Sequence, residues 1–524
     1  MYRTYEKRIA ALLNCSNSGT IKHGLIGLEK ETLRVGADGK IAQTPHPQAL
    51  GAALTHPYIT TDYSEALTEL ITPPFANSAE SLGFLRDTQA FVYTHLGEEI
   101  LWATSMPCVV AGETSIPIAQ YGHSNPGIMK TVYRRGLGHR YGRTMQVIAG
   151  VHFNYSVPEQ FWPVYQQLEQ NQTPLNEFTA QKYFELIRNL LRFGWLIPYL
   201  FGASPAVCKS FLAGKETFLD SFNDNTFYEP YATSLRMGDI GYQNNKEKAI
   251  GVRANYDSLQ QYVASLSAAI STPYSGYEKF GTVVNGEYQQ LNTNILQIEN
   301  EYYSTVRPKQ ILNGNEKPTL ALKKRGVRYI ELRSLDVNAF DPLGIDQTQA
   351  CFLEIFMLFC LLHESPAFNT DEQVAIDQNE LLTAHQGRKP DCHLNANGRQ
   401  RPLREWAAEL CQQMRAVAEL LDKDSEDKVY ARALAKQLDK VADPEVTPSA
   451  TMLRTMRENK EGFFDFALRM SNQHQGYFRQ VELSQSVQQQ FQAWARESLE
   501  KQKDMESSEQ LSFADYLAAY FAQS

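Results

Sequence analysis

No apolar stretch in this chain is long enough to cross a membrane, no two cysteines stand at CxxC spacing, and no GxxxxGK[ST] phosphate loop occurs. Each absence excludes something. The most apolar run, residues 351–362, is interrupted by Glu354 and followed by His363, well short of the ~20 residues a spanning helix needs. The amino-terminal stretch MYRTYEKRIAALLN has neither the long apolar core nor the small-residue cleavage site of a signal peptide. Seven cysteines, an odd number in a long chain, are expected to be free thiols in a reducing compartment. Together these features predict a cytoplasmic protein. Without a P-loop, and without GxSxG, HExxH or an EF-hand loop, the commonest nucleotide, hydrolase and metal signatures are ruled out. Residues 136–142, GLGHRYG, have GxGxxxG spacing outside any βαβ context and are read as turn glycines rather than a dinucleotide site.

Positive charge is also in deficit. A net charge of −9 and a pI near 5.8 argue against nucleic acid as the main partner. Short basic groups remain, such as Arg134 with Arg135 and Lys323, Lys324 with Arg325. They suit a few phosphates of a small molecule.

What is present is an ordinary globular composition, 43% hydrophobic and 21% charged, with a change near residue 390. Before it, short segments of alternating polarity mix with helices expected at 78–95, 179–200 and 346–363, without a regular βαβ rhythm. The fold class is therefore α+β. Residues 387–402 read as a loop. Beyond them Trp406, Leu410, Met414, Val417 and Leu421 recur at helical spacing, residues 501–510 read as a loose connection, and Ser512 caps a last helix. The division is a region 1–390 and a helical region 391–524, packed on the same unit.

The informative feature is charge inside apolar strands. Side chains two residues apart share a face, so Glu29 and Glu31 point together in 27–35, and His152 and Asn154 in 150–156. Glu331 and Arg333 do so in 328–334, and Glu69 centres 65–71. A single such strand is usually just solvated on its polar face. Four point to one shared polar face. Two like charges ~4 Å apart at an effective dielectric of about 20 repel by about 4 kcal/mol. Divalent cations relieve this, and a carboxylate-rich set with one histidine and no thiolate fits Mg²⁺, or Mn²⁺, rather than zinc.

Several strings here match in order the bacterial glutamate–cysteine ligases: GLEKETLRV (27–35), ALTHPYITTDYSEALTELITP (53–73), SMPC (105–108), QYGHSNPG (120–127), GVHFNYS (150–156), RFGWLIPYLFGASPA (192–206), PYATSLRMGDIGY (230–242), LQIENEYY (296–303), RPK (307–309) and YIELRSLDVNAFDPLGI (329–345). The chain resembles that family over roughly residues 20–390, most closely its proteobacterial single-activity type. The resemblance implies a glutamine-synthetase-like curved antiparallel sheet forming a funnel, and ATP-dependent, Mg²⁺-dependent joining of glutamate to cysteine through a γ-glutamyl phosphate. It places Glu29, Glu31, Asp62, Glu69, His152 and Glu331 at metal positions and Arg333 beside the transferred phosphoryl group. Arg236 falls at the clamp for the glutamate α-carboxylate, and Tyr133, Tyr242 and Tyr303 at the cysteine pocket. Arg134 joins the substrate-binding set, as does Tyr63, which stands where relatives can carry phenylalanine. Inhibition by glutathione and a monomeric state are implied; a bifunctional enzyme with a second ligase domain is not. Read from residues alone, Arg236 has another fate, a surface salt bridge with Asp239. Two rival functions stay open: a ligase of the same fold that takes a different amine, and a non-catalytic protein that binds nucleotide or glutathione.

Overall fold

Alternating polarity builds the centre of the molecule. The computed structural model describes residues 2–15, 17–241 and 252–523. Seven strands form one antiparallel sheet: β1 (Leu25–Val35), β2 (Ile59–Thr61), β3 (Leu67–Ile71), β4 (Ile100–Leu101), β5 (Val151–Ser156), β6 (Val306–Lys309) and β7 (Tyr329–Leu335). Their order is β6-β7-β5-β1-β3-β2, with β4 joined to the end of β1. Pairing sets Glu29 opposite His152, Glu31 opposite Glu69, and Glu331 opposite both Asn154 and Arg307. A one-residue slip in any ladder would turn that strand's charged residues to the other face.

The helices that matter below are α1 (Ser78–Tyr93), α2 (Asn125–Tyr141), α3 (Leu175–Phe193), α4 (Gln347–Leu362), α5 (Leu403–Leu421), α6 (Val429–Ala442), α7 (Gln485–Ser508) and α8 (Phe513–Ala522). The sheet's apolar face, with Leu28, Phe153, Tyr155, Ile330 and Leu332, is buried, and α1 and α4 pack against the sheet. The α4 helix is buried from Gln349 to Leu362, which explains why its sequence is apolar all round. In turn α5 and α6 pack on α4, and Trp406, Leu410, Met414, Val417 and Leu421 join the same hydrophobic core. The α+β class and the helical carboxyl-terminal region both hold. No helix among the described residues is long and apolar enough to cross a membrane.

Glu354 is the one charge inside α4. The Tyr430 hydroxyl donates to its Oε2 at 2.7 Å, yet burial pushes the carboxyl up to about 7. Because the folded value lies above the ordinary one, the folded state holds a proton that the unfolded chain releases. Stability is therefore lost as pH rises from about 4.5 to 7, by on the order of 3 kcal/mol. Glu354→Gln should raise the melting temperature by a few degrees at pH 8 and by almost nothing at pH 5. Equal shifts at the two pH values would show that Glu354 is ionised throughout.

The structure departs from the sequence reading in five places. Cys108 and Cys208 form a disulfide across 100 residues, with Cα atoms 5.4 Å apart, so five thiols are free rather than seven. An odd count leaves room for a pair, and no spacing announces one this distant. The single helix expected at 179–200 is two, α3 and Leu196–Phe201, separated at Gly194 and Trp195. Pro198 lacks the N–H that would bond back to the Gly194 carbonyl. Of the glycines in 136–142 only Gly142, at φ 85° where α2 ends, is a turn glycine: Gly136 and Gly138 lie inside α2. A Cβ at Gly136 would meet Gln297 Oε1 at 2.2 Å, so glycine here answers a close approach, not a turn. The loop at 387–402 contains a hairpin, His393–Ala396 with Arg399–Pro402. The loose connection at 501–510 is helical through Ser508, as part of α7.

Candidate active site

Five strands deliver charged residues to one cavity of about 480 Å³, β6 among them through Arg307 and Lys309. From β1 come Glu29 and Glu31, from β3 Glu69, from β5 His152, and from β7 Glu331 and Arg333. Asp62 and Tyr63 follow directly on β2, α2 contributes Tyr133 and Arg134, and Arg236 and Tyr303 close the far wall. All the site residues read from the sequence meet here except Tyr242, which lies outside the described residues.

His152 sits among the carboxylates. Its Nδ1 is 2.9 Å from Glu29 Oε2 and 3.7 Å from Glu331 Oε1, and its Nε2 is 3.6 Å from Glu31 Oε1. Asn154 Nδ2 donates to Glu29 Oε1 at 2.9 Å, and the Gly150 amide donates to Glu31 Oε2 at 2.7 Å. Arg333 Nη1 and Lys309 Nζ reach Glu331 Oε1 at 3.2 and 3.3 Å.

Burial pushes each of these carboxyls upward, and neighbouring charges then divide them. Around Glu331 the cations Lys309 and Arg333, with His152 beside them, overcome burial and hold it well below the usual carboxylate range. Burial and repulsion from Glu331 raise Glu29, but the hydrogen bond and charge of His152, with Lys309, bring it below normal. Glu69 is helped only by Arg333, which is not enough: burial and then Glu29, Asp62 and Glu31 push it far up. Glu31 is raised too, by burial and Asp62 against His152. The pattern is an acidic cluster short of positive charge.

A divalent cation fits that deficit. Ligand atoms of Glu29, His152 and Glu331 lie within 4.8 Å of one another. Glu331 is 1% exposed, yet its Oε2 has no protein partner, and neither has the buried Asn154 Oδ1. Unpartnered buried oxygens are costly unless something binds them. Oxygen donors with one imidazole are the set that hard divalent ions accept.

Arg236 is 2% exposed and is no surface residue. Its Nη2 donates to the Arg333 carbonyl at 2.8 Å and its Nη1 lies 3.7 Å from Asp336 Oδ1, while its Nε has no protein partner. Asp336 is itself held by the Ala203 amide at 2.8 Å, Ser204 Oγ at 2.6 Å and Ser234 Oγ at 2.9 Å. The alternative pairing with Asp239 fails, because Asp239 Oδ1 lies 3.1 Å from His385 Nε2 instead. Gly150 leaves room for the guanidinium, since a Cβ there would come within 2.2 Å of Arg236 Nη2.

Several lining residues were given no role from the sequence, Arg307, Lys309, Lys130 and Tyr141 among them. Arg307 and Lys309 alternate on β6 just as the acids alternate on β1, and the two-residue rule could have found them. Lys130 and Tyr141 lie on the stripe of α2 that carries Tyr133 and Arg134, a signal hidden while the following glycines were read as turns. On the aromatic side, the Tyr303 hydroxyl reaches Met237 Sδ at 3.6 Å, and the buried Tyr63 hydroxyl has no protein partner.

This constellation can be set beside known proteins. The glutamate–cysteine ligase family model matches residues 9–382. The chain belongs to the glutamate–cysteine ligase family. The glutamate–cysteine ligase of Alcanivorax borkumensis is 49% identical over 98% of this chain and 99% of its own, and that of Azotobacter vinelandii 47% identical over 100% and 99%. The crystal structure of the Francisella tularensis glutamate–cysteine ligase, in complex with AMP, superposes with a TM-score of 0.89 at 36% identity, covering 95% of this chain and 98% of that one. A bifunctional glutathione synthetase from Pasteurella multocida shares the fold at 23% identity and a TM-score of 0.74, with 58% of its length covered.

Proposed function

We propose that this cavity is where glutamate, cysteine and ATP meet, with Mg²⁺ as the physiological cation. The reaction is the ATP-dependent formation of γ-glutamylcysteine, the first step of glutathione biosynthesis. The observation that carries the assignment of the site is the meeting of carboxylates from three strands around His152 of a fourth, with Arg333 at their edge and Arg236 behind them.

Glu29, His152 and Glu331, with Glu31, Asp62 and Glu69 around them, hold the cation. When bound, it neutralises triphosphate charge and clamps the phosphates for in-line transfer. Arg333, held by Glu331, presents a planar donor fork to the phosphoryl oxygens, where lysine would give only a point charge. Lys309 and Arg134 add positive charge on either side of the acids. Arg236 pairs with the α-carboxylate of glutamate, which aims the γ-carboxylate at the phosphorus; fixed orientation of this kind is worth several kcal/mol of barrier. The γ-carboxylate attacks the terminal phosphorus, breaking its bond to the bridging oxygen and releasing ADP; the neutral cysteine amine then attacks the γ-glutamyl phosphate carbonyl, expelling phosphate and losing a proton to form the amide.

Tyr63, Tyr133 and Tyr303 form the pocket for the cysteine side chain. Sulfur–aromatic contacts supply only ~0.3–1.5 kcal/mol each. A methyl group in place of the thiol should therefore be tolerated, and 2-aminobutyrate should replace cysteine with a loss in kcat/KM of tens-fold at most. A loss of thousands-fold would contradict an aromatic, sulfur-contacting pocket. The assignment as a whole is tested by ADP release from purified protein with Mg²⁺, ATP and glutamate, with and without cysteine, and mass detection of the dipeptide. ADP and γ-glutamylcysteine in equal amounts are expected. A panel of other amines separates this reading from a ligase of different amine preference. Glutathione is expected to compete with glutamate, and the protein to act as a monomer in a cytoplasmic setting.

A further inference from the structure

The last helix lies outside the matched family segment, yet it reaches back to the substrate cavity. It does so through a small hydrophobic cluster separate from the main core. Leu517 and Tyr520 of α8 are buried there with Met129 and Val132 of α2 and with Leu291. Tyr133 and Ile298, both of which line the cavity, pack against the same cluster from the other side. Phe513 adds an edge-on ring contact to Tyr288, with centroids 4.8 Å apart.

Polar contacts fix both ends of the segment. At its start, Glu506 Oε1 accepts from the His123 amide at 2.8 Å and Glu509 Oε2 from the Asn125 amide at 3.0 Å. The second of these places a carboxylate at the amino end of α2, where the helix dipole favours it. At its finish, Lys317, 7% exposed, donates to the carbonyls of Phe521 at 2.9 Å and Gln523 at 3.0 Å. Lys317 precedes a helix whose Thr319 Oγ1 donates to Glu299 Oε1 at 2.5 Å, within the segment that leads to Tyr303. So α8 touches two walls of the cavity at once. One is α2 with Tyr133, and the other is the 298–303 segment with Tyr303.

We propose that α8 is a positioning element for the amine-substrate pocket: by filling the space behind Tyr133 and Ile298, it fixes the separation of the two aromatic walls. No residue of α8 touches substrate. Its effect is transmitted through packing, and it acts on cysteine selectively, because neither the acidic strands nor Arg236 belongs to its cluster. The inference rests on the assignment of Tyr133 and Tyr303 to the cysteine pocket.

The test uses the full chain. Leu517→Asp with Tyr520→Asp places two charges in the cluster and should free α8, seen as loss of hydrogen-exchange protection over 513–522 while β1 and β5 stay protected. The KM for cysteine should then rise at least tenfold, with the KM for ATP changed less than about twofold. Lys317→Met, which cuts the carbonyl tether and the ammonium's contact with the Tyr520 and Phe521 rings, should give a smaller rise in the same parameter and covers the case of a double variant that fails to fold. A freed helix with unchanged cysteine KM overturns the proposal, as does a helix that stays protected with two charges in its cluster, or a Lys317→Met enzyme indistinguishable from the parent. Failure of the pocket assignment looks different: Tyr133→Leu and Tyr303→Leu would leave the cysteine KM unchanged.

Discussion

Glutamate-dependent ADP release should fall about a thousandfold in Glu29→Gln and in Glu331→Gln, with the fold intact. Each substitution keeps the shape of the side chain and removes one charge from the set around His152. A thousandfold loss corresponds to about 4 kcal/mol of barrier, a reasonable share for one donor of a cation that neutralises transferring phosphate. Stability should move little, because relief of acid–acid repulsion offsets the loss of favourable pairs. At Glu29 the amide can still accept from Asn154. A melting temperature within a few degrees of the parent together with near-normal turnover at millimolar Mg²⁺ would show these glutamates to be structural.

The second large effect is on glutamate affinity. Arg236→Met should raise the KM for glutamate at least a hundredfold and leave the KM for ATP within a few-fold. The guanidinium is the buried cation expected to meet the α-carboxylate, and its loss also leaves Asp336 without its charged partner in a site that excludes water. Asp336→Asn separates these contributions. Its amide can keep the hydrogen bonds with Ser204, Ser234 or the Ala203 amide while removing the charge that orients Arg236. A rise of about tenfold in the same KM is expected, and the double variant should be no worse than Arg236→Met alone. Simple multiplication of the two effects would mean that Asp336 does not act through Arg236.

Much of this site could be read from the sequence because β-strands write their faces in steps of two. Glu29 with Glu31, His152 with Asn154, and Glu331 with Arg333 declared themselves as pairs, and antiparallel register brought them together. Two elements of the charge balance were missed for different reasons. Lys309 obeys the same rule, but a four-residue strand containing Pro308 gives little alternation to detect. Asp336 lies one residue beyond β7, and its role depends on Ser204 and Ser234, more than 100 positions away, which no local pattern encodes. The glycines of α2 misled because glycine usually marks a turn, whereas here the helix passes close to Gln297 and Tyr63. The Cys108–Cys208 bridge and the return of α8 to α2 share that character. Both are long-range contacts between segments whose local sequences fit several partners.

The most direct test of the account is Mn²⁺ binding followed by electron paramagnetic resonance in the presence of a non-hydrolysable ATP analogue. The parent protein should bind the ion, and Glu29→Gln and Glu331→Gln should each weaken binding at least tenfold while Arg236→Met binds normally. Unchanged Mn²⁺ affinity in both glutamate variants would contradict a cation held by the strand carboxylates.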